Sequence, residues 1–343
     1  MTMVDVQGAA TVLVRDLLQL KKGETVLVYG DPGADAGVVR ATVDAVEARG
    51  GVPLEVWYRI KGPPGTEPPA PMAEAMRKAD VLVEFARTYL ITTRAFQRAM
   101  DGGTRHLCLT GMDGDMMTRC IGNVSLPALK RFGVTLQRMT ARAQEIRVTS
   151  PGGTDLTFQV GKRPIILDTG ECVIPGRDCY LGGQISWAAV ERTIEGSLVL
   201  DGTVWPPDPL APLREPVRLE LSKGRIVSIG GGEAAKILRD WIEHFRDRKM
   251  YNVAHFCFGF NPGASISGKI LEDERAFGVF VTGFGSQMAS FKGGFTLAKS
   301  HIDGVTMKPS VRFDGEALEK DGSFVHPKLA PLQERLRTEH PET

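Results

Sequence analysis

The chain has 343 residues, enough for two domains or one large one, because single cores rarely grow past roughly 250 to 300 residues. Its 42% hydrophobic and 24% charged residues are ordinary for a soluble globular protein, and a net charge of +1 gives no reason to expect nucleic acid or a membrane surface as partner. A small molecule is the expected partner. Cys108, Cys120, Cys172, Cys179 and Cys257 are odd in number and contain no CxxC pair, which argues against a disulfide framework or a cysteine zinc site and for a reduced, cytoplasmic setting. No basic-then-apolar leader is visible, and no apolar run nears the roughly 20 residues that span a bilayer.

Along residues 6–20 the apolar positions Val12, Leu13, Val14, Leu17 and Leu18 have helical spacing, and Lys21-Lys22-Gly23 supplies a stop. Residues 24–30 read as a buried strand, followed by a helix through Val38, Val39, Val43 and Val46. The alternation continues with strands at 53–60, 80–86 and 105–111 and helices at 71–78 and 92–100. Strands and helices at this spacing predict an open, mostly parallel sheet with flanking helices, since parallel crossovers need the intervening helix. The loops after Gly30, Ala86 and Gly111 are then the places for a ligand. Gly30-Asp31-Pro32-Gly33 is a plain strand-to-helix turn rather than a GxGxxG cradle.

A helical stretch at 112–142 leads away, and the periodicity changes at Glu145. Residues 145–149 and 154–160 form a hairpin, with further strands at 184–189, 197–200, 217–222 and 225–229 and an amphipathic helix at 233–246. Glycine-rich strands follow at 253–260, 278–284 and 301–308, and the charged tail from Gln333 reads as a frayed helix. The fold class is therefore α/β, with an α/β domain at 1–143 and a β-rich α+β metal-binding domain at 144–343.

In His301-Ile302-Asp303 the period of two along a strand points His301 and Asp303 to one face. If the 253–260 strand lies nearby, His255 completes a set of two imidazoles and a carboxylate, the arrangement of non-haem Fe(II) oxygenases. His-x-Asp is equally the pattern of a buried histidine satisfied by a carboxylate. Cys257 shares the face of His255 and reads as a small core residue. Glu272-Asp273-Glu274 reads as a solvated turn, and His106 as part of a sheet strand.

The runs from His255 to Pro262, Asp273-Glu274-Arg275-Ala276-Phe277-Gly278 and His301-Ile302-Asp303 resemble, in order and spacing, the metal-binding region of the aminopeptidase T-like superfamily. Within it they are most similar to the 2,5-dihydroxypyridine 5,6-dioxygenases. The resemblance extends over residues 191–201 and Lys223-Gly224-Arg225-Ile226, and more loosely over the first half. It implies Fe(II) held by His255, His301 and Asp303, a hydroxylated aromatic or N-heteroaromatic substrate, O2 as co-substrate, and a homo-oligomer. Where the aminopeptidases place a glutamate and a further histidine for a second metal, this chain has His255 and Val281.

The resemblance also marks departures. The dioxygenases have a histidine in the loop after the third strand, where this chain has Thr88-Tyr89-Leu90-Ile91; a second histidine matches Tyr180 and a glutamate matches Asp168. Tyr180, Asp168 and Tyr89 are accordingly the residues expected to accept or position the substrate proton. Two other readings stand beside the dioxygenase: an aminopeptidase-like hydrolase in which Glu274 or Glu191 joins the metal site, and a non-catalytic small-molecule-binding protein.

Overall fold

The computed structural model describes residues 5–59, 61–62, 65–88, 90–207, 210, 212–294 and 297–339. The described part divides into two compact units, one built from residues up to 126 with 168–182, the other from 127–167 with 183–339. Among the described residues no helix is long and apolar enough to cross a membrane.

In the first unit, five parallel strands run in the order Val52–Trp57, Thr25–Gly30, Val81–Glu84, Arg105–Cys108 and Asp178–Tyr180. The helices Ala36–Ala48, Ala70–Lys78 and Arg94–Asp101 supply the crossovers. The predicted parallel sheet is thus present, with one strand more than the sequence pattern revealed. Asp178–Tyr180 is three residues long and arrives from far along the chain, so it carries no periodicity of its own.

The expected single cut between residues 143 and 144 is replaced by this two-segment division for two physical reasons. The returning segment completes the first sheet. The helix Leu126–Thr140, expected to close the first domain, buries its apolar side in the second unit, where Phe132 packs on Phe260, Phe277 and Phe324.

The second unit contains an eight-stranded and a six-stranded sheet. At the centre of the six-stranded sheet the antiparallel strands Val253–Gly259, Val279–Gly285 and His301–Thr306 lie side by side. Their side chains alternate, and aromatic residues decide which face turns inward. Phe256, Phe258, Phe280 and Trp187 point toward the eight-stranded sheet and meet Phe158 and Phe313 from it, with Phe158 stacked 4.1 Å from Phe256. Each buried ring is worth roughly 1.5–3 kcal/mol of apolar transfer, so reversing the alternation would forfeit this core. The odd-numbered residues of the first and last strands, His255 and Cys257, His301 and Asp303, are thereby forced onto the opposite face.

Two other expectations change. Gln333 and Leu336 are buried in a docked helix, Ala330–Thr338, where Gln333 accepts a hydrogen bond from the Phe324 amide, so the tail is not frayed. Glu272 and Asp273 are buried rather than solvated. Glu272 accepts from the Ser265 amide and hydroxyl, and Asp273 from Thr203 and the amides of Ser267 and Gly268, so both anchor a neighbouring loop.

In the parallel sheet His106 is fully buried, its Nδ1 2.7 Å from Asp178 and its Nε2 3.1 Å from Glu84. Burial opposes protonation of the ring, but the two carboxylates outweigh it and raise its pKa to about 9. The folded-state value lies above the unfolded one near 6.5, so the imidazolium stabilises the fold fully below about pH 6.5 and loses that contribution as pH rises through about 9. Urea unfolding is expected to show stability falling by on the order of 2–3 kcal/mol between pH 6.5 and 9.5, and His106→Gln should flatten this slope. An equal slope in the variant would remove His106 as its source.

Candidate metal centre

On the outer face of the six-stranded sheet the strand register sets three residues in a row. His255 pairs with Gly283, and Gly283 pairs with Asp303; His301 lies one step along, opposite Gly285. The register between the first two strands shifts just before His255, an irregularity of the kind that re-aims a side chain. The consequence is convergence. His255 Nε2 and His301 Nε2 are 3.1 Å apart, His301 Nε2 and Asp303 Oδ1 3.1 Å, and His255 Nε2 and Asp303 Oδ1 3.2 Å.

Such a triangle is one face of an octahedron whose centre lies about 2.2 Å from each corner (edge divided by √2), inside the roughly 2.0–2.6 Å range of protein–metal bonds. Two imidazole nitrogens and one carboxylate oxygen suit a first-row divalent ion. Among the described residues this is the one group of at least three such side chains whose donor atoms all fall within 4.8 Å of one another.

Gly283 makes the convergence sterically feasible. A Cβ there would stand 2.3 Å from His255 Nε2, so any side chain on the central strand would displace the imidazole.

The remaining atoms of the three residues are held from behind. His301 Nδ1 lies 2.7 Å from the Ser286 carbonyl, which can only accept, so Nδ1 carries the hydrogen and Nε2 is the nitrogen turned toward the group. His255 Nδ1 lies 3.2 Å from Cys257 Sγ, and Phe291 stacks obliquely on the His255 ring with centroids 5.4 Å apart. His255 and Asp303 side chains are each 10% exposed and that of His301 is 35%, so solvent reaches the group past His301.

Charge is distributed to match. Burial alone would raise Asp303, but His301 and His255 overcome it and hold the carboxyl well below its usual range. Burial lowers His255 despite the Asp303 carboxylate. Burial also works against a charge on His301, yet Asp303 and the Ser286 carbonyl raise its pKa to about 9. Glu274 is pushed up to about 8, first by burial and then by the Asp303 charge, while Arg275 and Gln184, which donates to it at 3.3 Å, work the other way.

The row below His255, Gly283 and Asp303 is apolar. Cys257, Val281 and Val305 pair across the same three strands and pack with Ala276 and Val279. Val281 therefore sits in a hydrophobic cluster with no metal donor of its own. Glu191 lies outside this group of donor atoms. Both of its carboxylate oxygens accept from the Arg163 guanidinium, at 2.7 and 2.8 Å.

The other residues read from the sequence fall elsewhere. Tyr180 ends the short fifth strand of the first unit and donates to Asp178 Oδ2 at 2.7 Å. Burial and the Asp178 charge raise its pKa well above the ordinary phenol value, which makes it a hydrogen-bond donor rather than a base near neutrality. Asp168 closes the edge strand Ile166–Asp168, and Tyr89 lies outside the described residues. Sequence reading overlooked Gly283, Ser286 and Phe291. The glycine is the only one of these with a sequence signal, an isolated glycine within a strand pattern.

A family model described as NicX, 2,5-dihydroxypyridine 5,6-dioxygenase, matches residues 12–326. The chain belongs to this family. A curated relative, the 2,5-dihydroxypyridine 5,6-dioxygenase of Pseudomonas putida, is 29% identical over 215 residues, a match that spans 58% of this chain and 59% of the relative. The solved structure of 2,5-dihydroxypyridine dioxygenase from Pseudomonas putida superposes with a TM-score of 0.78 at 21% identity, covering 96% of this chain and 99% of that one. AmpT from Thermus thermophilus superposes with a TM-score of 0.68 at 15% identity, covering 93% and 98%. This family member thus has the α/β fold that both solved structures share.

Gly283→Ala tests the role of the central strand. The variant is expected to fold, with an unchanged far-UV circular dichroism spectrum, and to bind Fe(II) or Co(II) at least about tenfold more weakly in anaerobic titration, because a metal site tolerates little displacement of a ligand. Unchanged affinity would mean that the imidazole does not need the space.

Proposed function

We propose that the protein is a mononuclear non-haem Fe(II) dioxygenase that opens a hydroxylated aromatic or N-heteroaromatic ring of the 2,5-dihydroxypyridine type. The observation that carries the reading is the triangle of His255, His301 and Asp303 donor atoms with edges of 3.1–3.2 Å, set on one face of a rigid sheet. Membership of the dioxygenase family supports the reaction class, and the donor set supports Fe(II). Bound there, Fe(II) supplies positions at which an electron-rich ring and O2 exchange electrons, both oxygen atoms ending in the ring-opened product without an outside reductant.

The chain's own residues prepare that chemistry. Ser286 fixes the tautomer of His301, and Cys257 and Phe291 hold the ring of His255. Asp303 stays anionic and offsets part of the metal's charge. In the metal-free protein burial and the Asp303 charge push the Glu274 pKa up to about 8, and a bound divalent ion would draw it back toward the carboxylate form. A substrate hydroxyl would enter from the His301 side, where the centre is open to solvent. Tyr180, Asp168 and Tyr89 keep the role proposed for them by family resemblance; with its one proton on Asp178 and its pKa raised, the Tyr180 hydroxyl would accept from a substrate hydroxyl rather than act as the base that ionises it.

The hydrolase alternative lacks support at two points. Val281 and its apolar row replace a donor of the second metal, and Glu191 is taken up by Arg163.

Anaerobic reconstitution with Fe(II) followed by an oxygen-electrode screen over dihydroxypyridines, catechols, hydroquinones and aminophenols tests the proposal. Stoichiometric O2 uptake with 2,5-dihydroxypyridine or a close relative is expected, and His301→Ala or Asp303→Asn should lower it by more than about 100-fold, since losing a ligand exceeds the 10–100-fold cost of losing a supporting group. A flat response across the panel, or peptide hydrolysis with two metal ions per chain, would sink it.

A further inference from the structure

Beyond the three ligands, one buried ion pair stands behind the centre with no stated task. Glu191 is 6% exposed, in a short turn at Glu191–Thr193, and forms a two-pronged pair with Arg163, which also donates to the Ala189 carbonyl. Despite burial, the Arg163 charge and backbone donors hold the Glu191 pKa down to about 2, so it is a permanent anion. A buried pair of this kind is a poor source of net stability, because desolvation cancels most of the attraction. Its remaining contacts point to positioning.

Glu191 Oε1 also accepts from the Gly294 amide at 2.6 Å and from Gln287 Nε2 at 3.4 Å. The same Gln287 nitrogen donates at 2.7 Å to the carbonyl of Ala254, the residue before His255. Between these anchors runs the segment 286–294. Its first residue presents the carbonyl that receives His301 Nδ1, and its Phe291 side chain walls the ring of His255. One carboxylate therefore grips both ends of the segment that orients both histidines.

We propose that Glu191, held by Arg163, is a positioning residue for the metal centre: it locks segment 286–294 so that Ser286 fixes the His301 tautomer and Phe291 fixes the His255 ring. The role rests on the reading of His255, His301 and Asp303 as ligands. Neutralising the carboxylate removes one side of the pair with Arg163 and weakens the grip on Gly294. The ligands then sample orientations that a metal must select against, and affinity falls by the fraction of time they are misplaced.

Anaerobic Fe(II) titration of the full chain is the test, with Glu191→Gln and Gln287→Met compared with wild type. Gln287→Met cuts the link to Ala254 and Glu191 while leaving the buried ion pair intact, so it decides the matter if Glu191→Gln does not fold. Each variant is expected to bind Fe(II) about 10- to 100-fold more weakly, the range seen for outer-shell partners of metal ligands; Gln287→Met should keep a metal-free melting temperature near that of wild type, whereas Glu191→Gln, which leaves the Arg163 charge buried without its partner, should melt lower. In the Zn(II)-loaded protein the His301 Nδ1 proton, sheltered by Ser286, should give a resolved NMR signal that Gln287→Met broadens or shifts. Wild-type Fe(II) affinity together with an unchanged His301 signal in Gln287→Met would overturn the role. A wild type that binds Fe(II) yet consumes no O2 with any ring sinks the dioxygenase reading and leaves this one standing, whereas a wild type that binds no Fe(II) overturns both.

Discussion

Two imidazoles and a carboxylate held within 3.2 Å of one another make a concentrated polar site, and the architecture of the second unit accommodates that arrangement. Asp303 attracts both imidazoles, but attraction alone would not turn the two Nε2 atoms toward one another. The backbone sets that arrangement. The aromatic residues on the inner face fix the alternation of all three strands, the glycine between His255 and Asp303 admits the imidazole, and a backbone carbonyl fixes His301. In the metal-free protein the charge of His301 and that of Asp303 balance; a divalent ion would take over that task from the proton.

The likeness to both a dioxygenase and AmpT shows one fold shared by differently named proteins. The scaffold supplies rows of outward-facing positions on adjacent strands, and the side chains in those rows, not the fold, decide what chemistry they can support. Here the row occupied by Cys257, Val281 and Val305 is apolar and closed, which confines the polar donors to the row above it. The acidic residues just outside the ligand set have been given other work: Glu272 and Asp273 anchor a loop, and Glu191 binds Arg163.

Much of this was legible in the sequence because it depends on local period. The alternation along residues 253–260 and the spacing of His301 and Asp303 are properties of single strands, and they place His301 and Asp303 on one face, and His255 with Cys257 on one face of its own strand, without any knowledge of neighbours. The strand and helix alternation of the first third likewise announces a parallel sheet. What stayed hidden depends on pairing between distant segments. The row joining His255, Gly283 and Asp303 exists only once three strands are in register. The fifth parallel strand is too short to have a pattern, and helix Leu126–Thr140 shows an apolar face without saying which unit will cover it. The link from Arg163 through Glu191 to Gln287 joins residues with no common motif, each of which on its own reads as an ordinary charged or polar residue.

The central claim is a single ion on three named ligands, and the most direct test is crystallographic. Crystals of protein loaded with Fe(II) under anaerobic conditions, measured on either side of the iron absorption edge, should show one anomalous peak per chain lying between His255 Nε2, His301 Nε2 and Asp303 Oδ1. Two peaks at the site, or a single peak coordinated by other residues, would contradict the account.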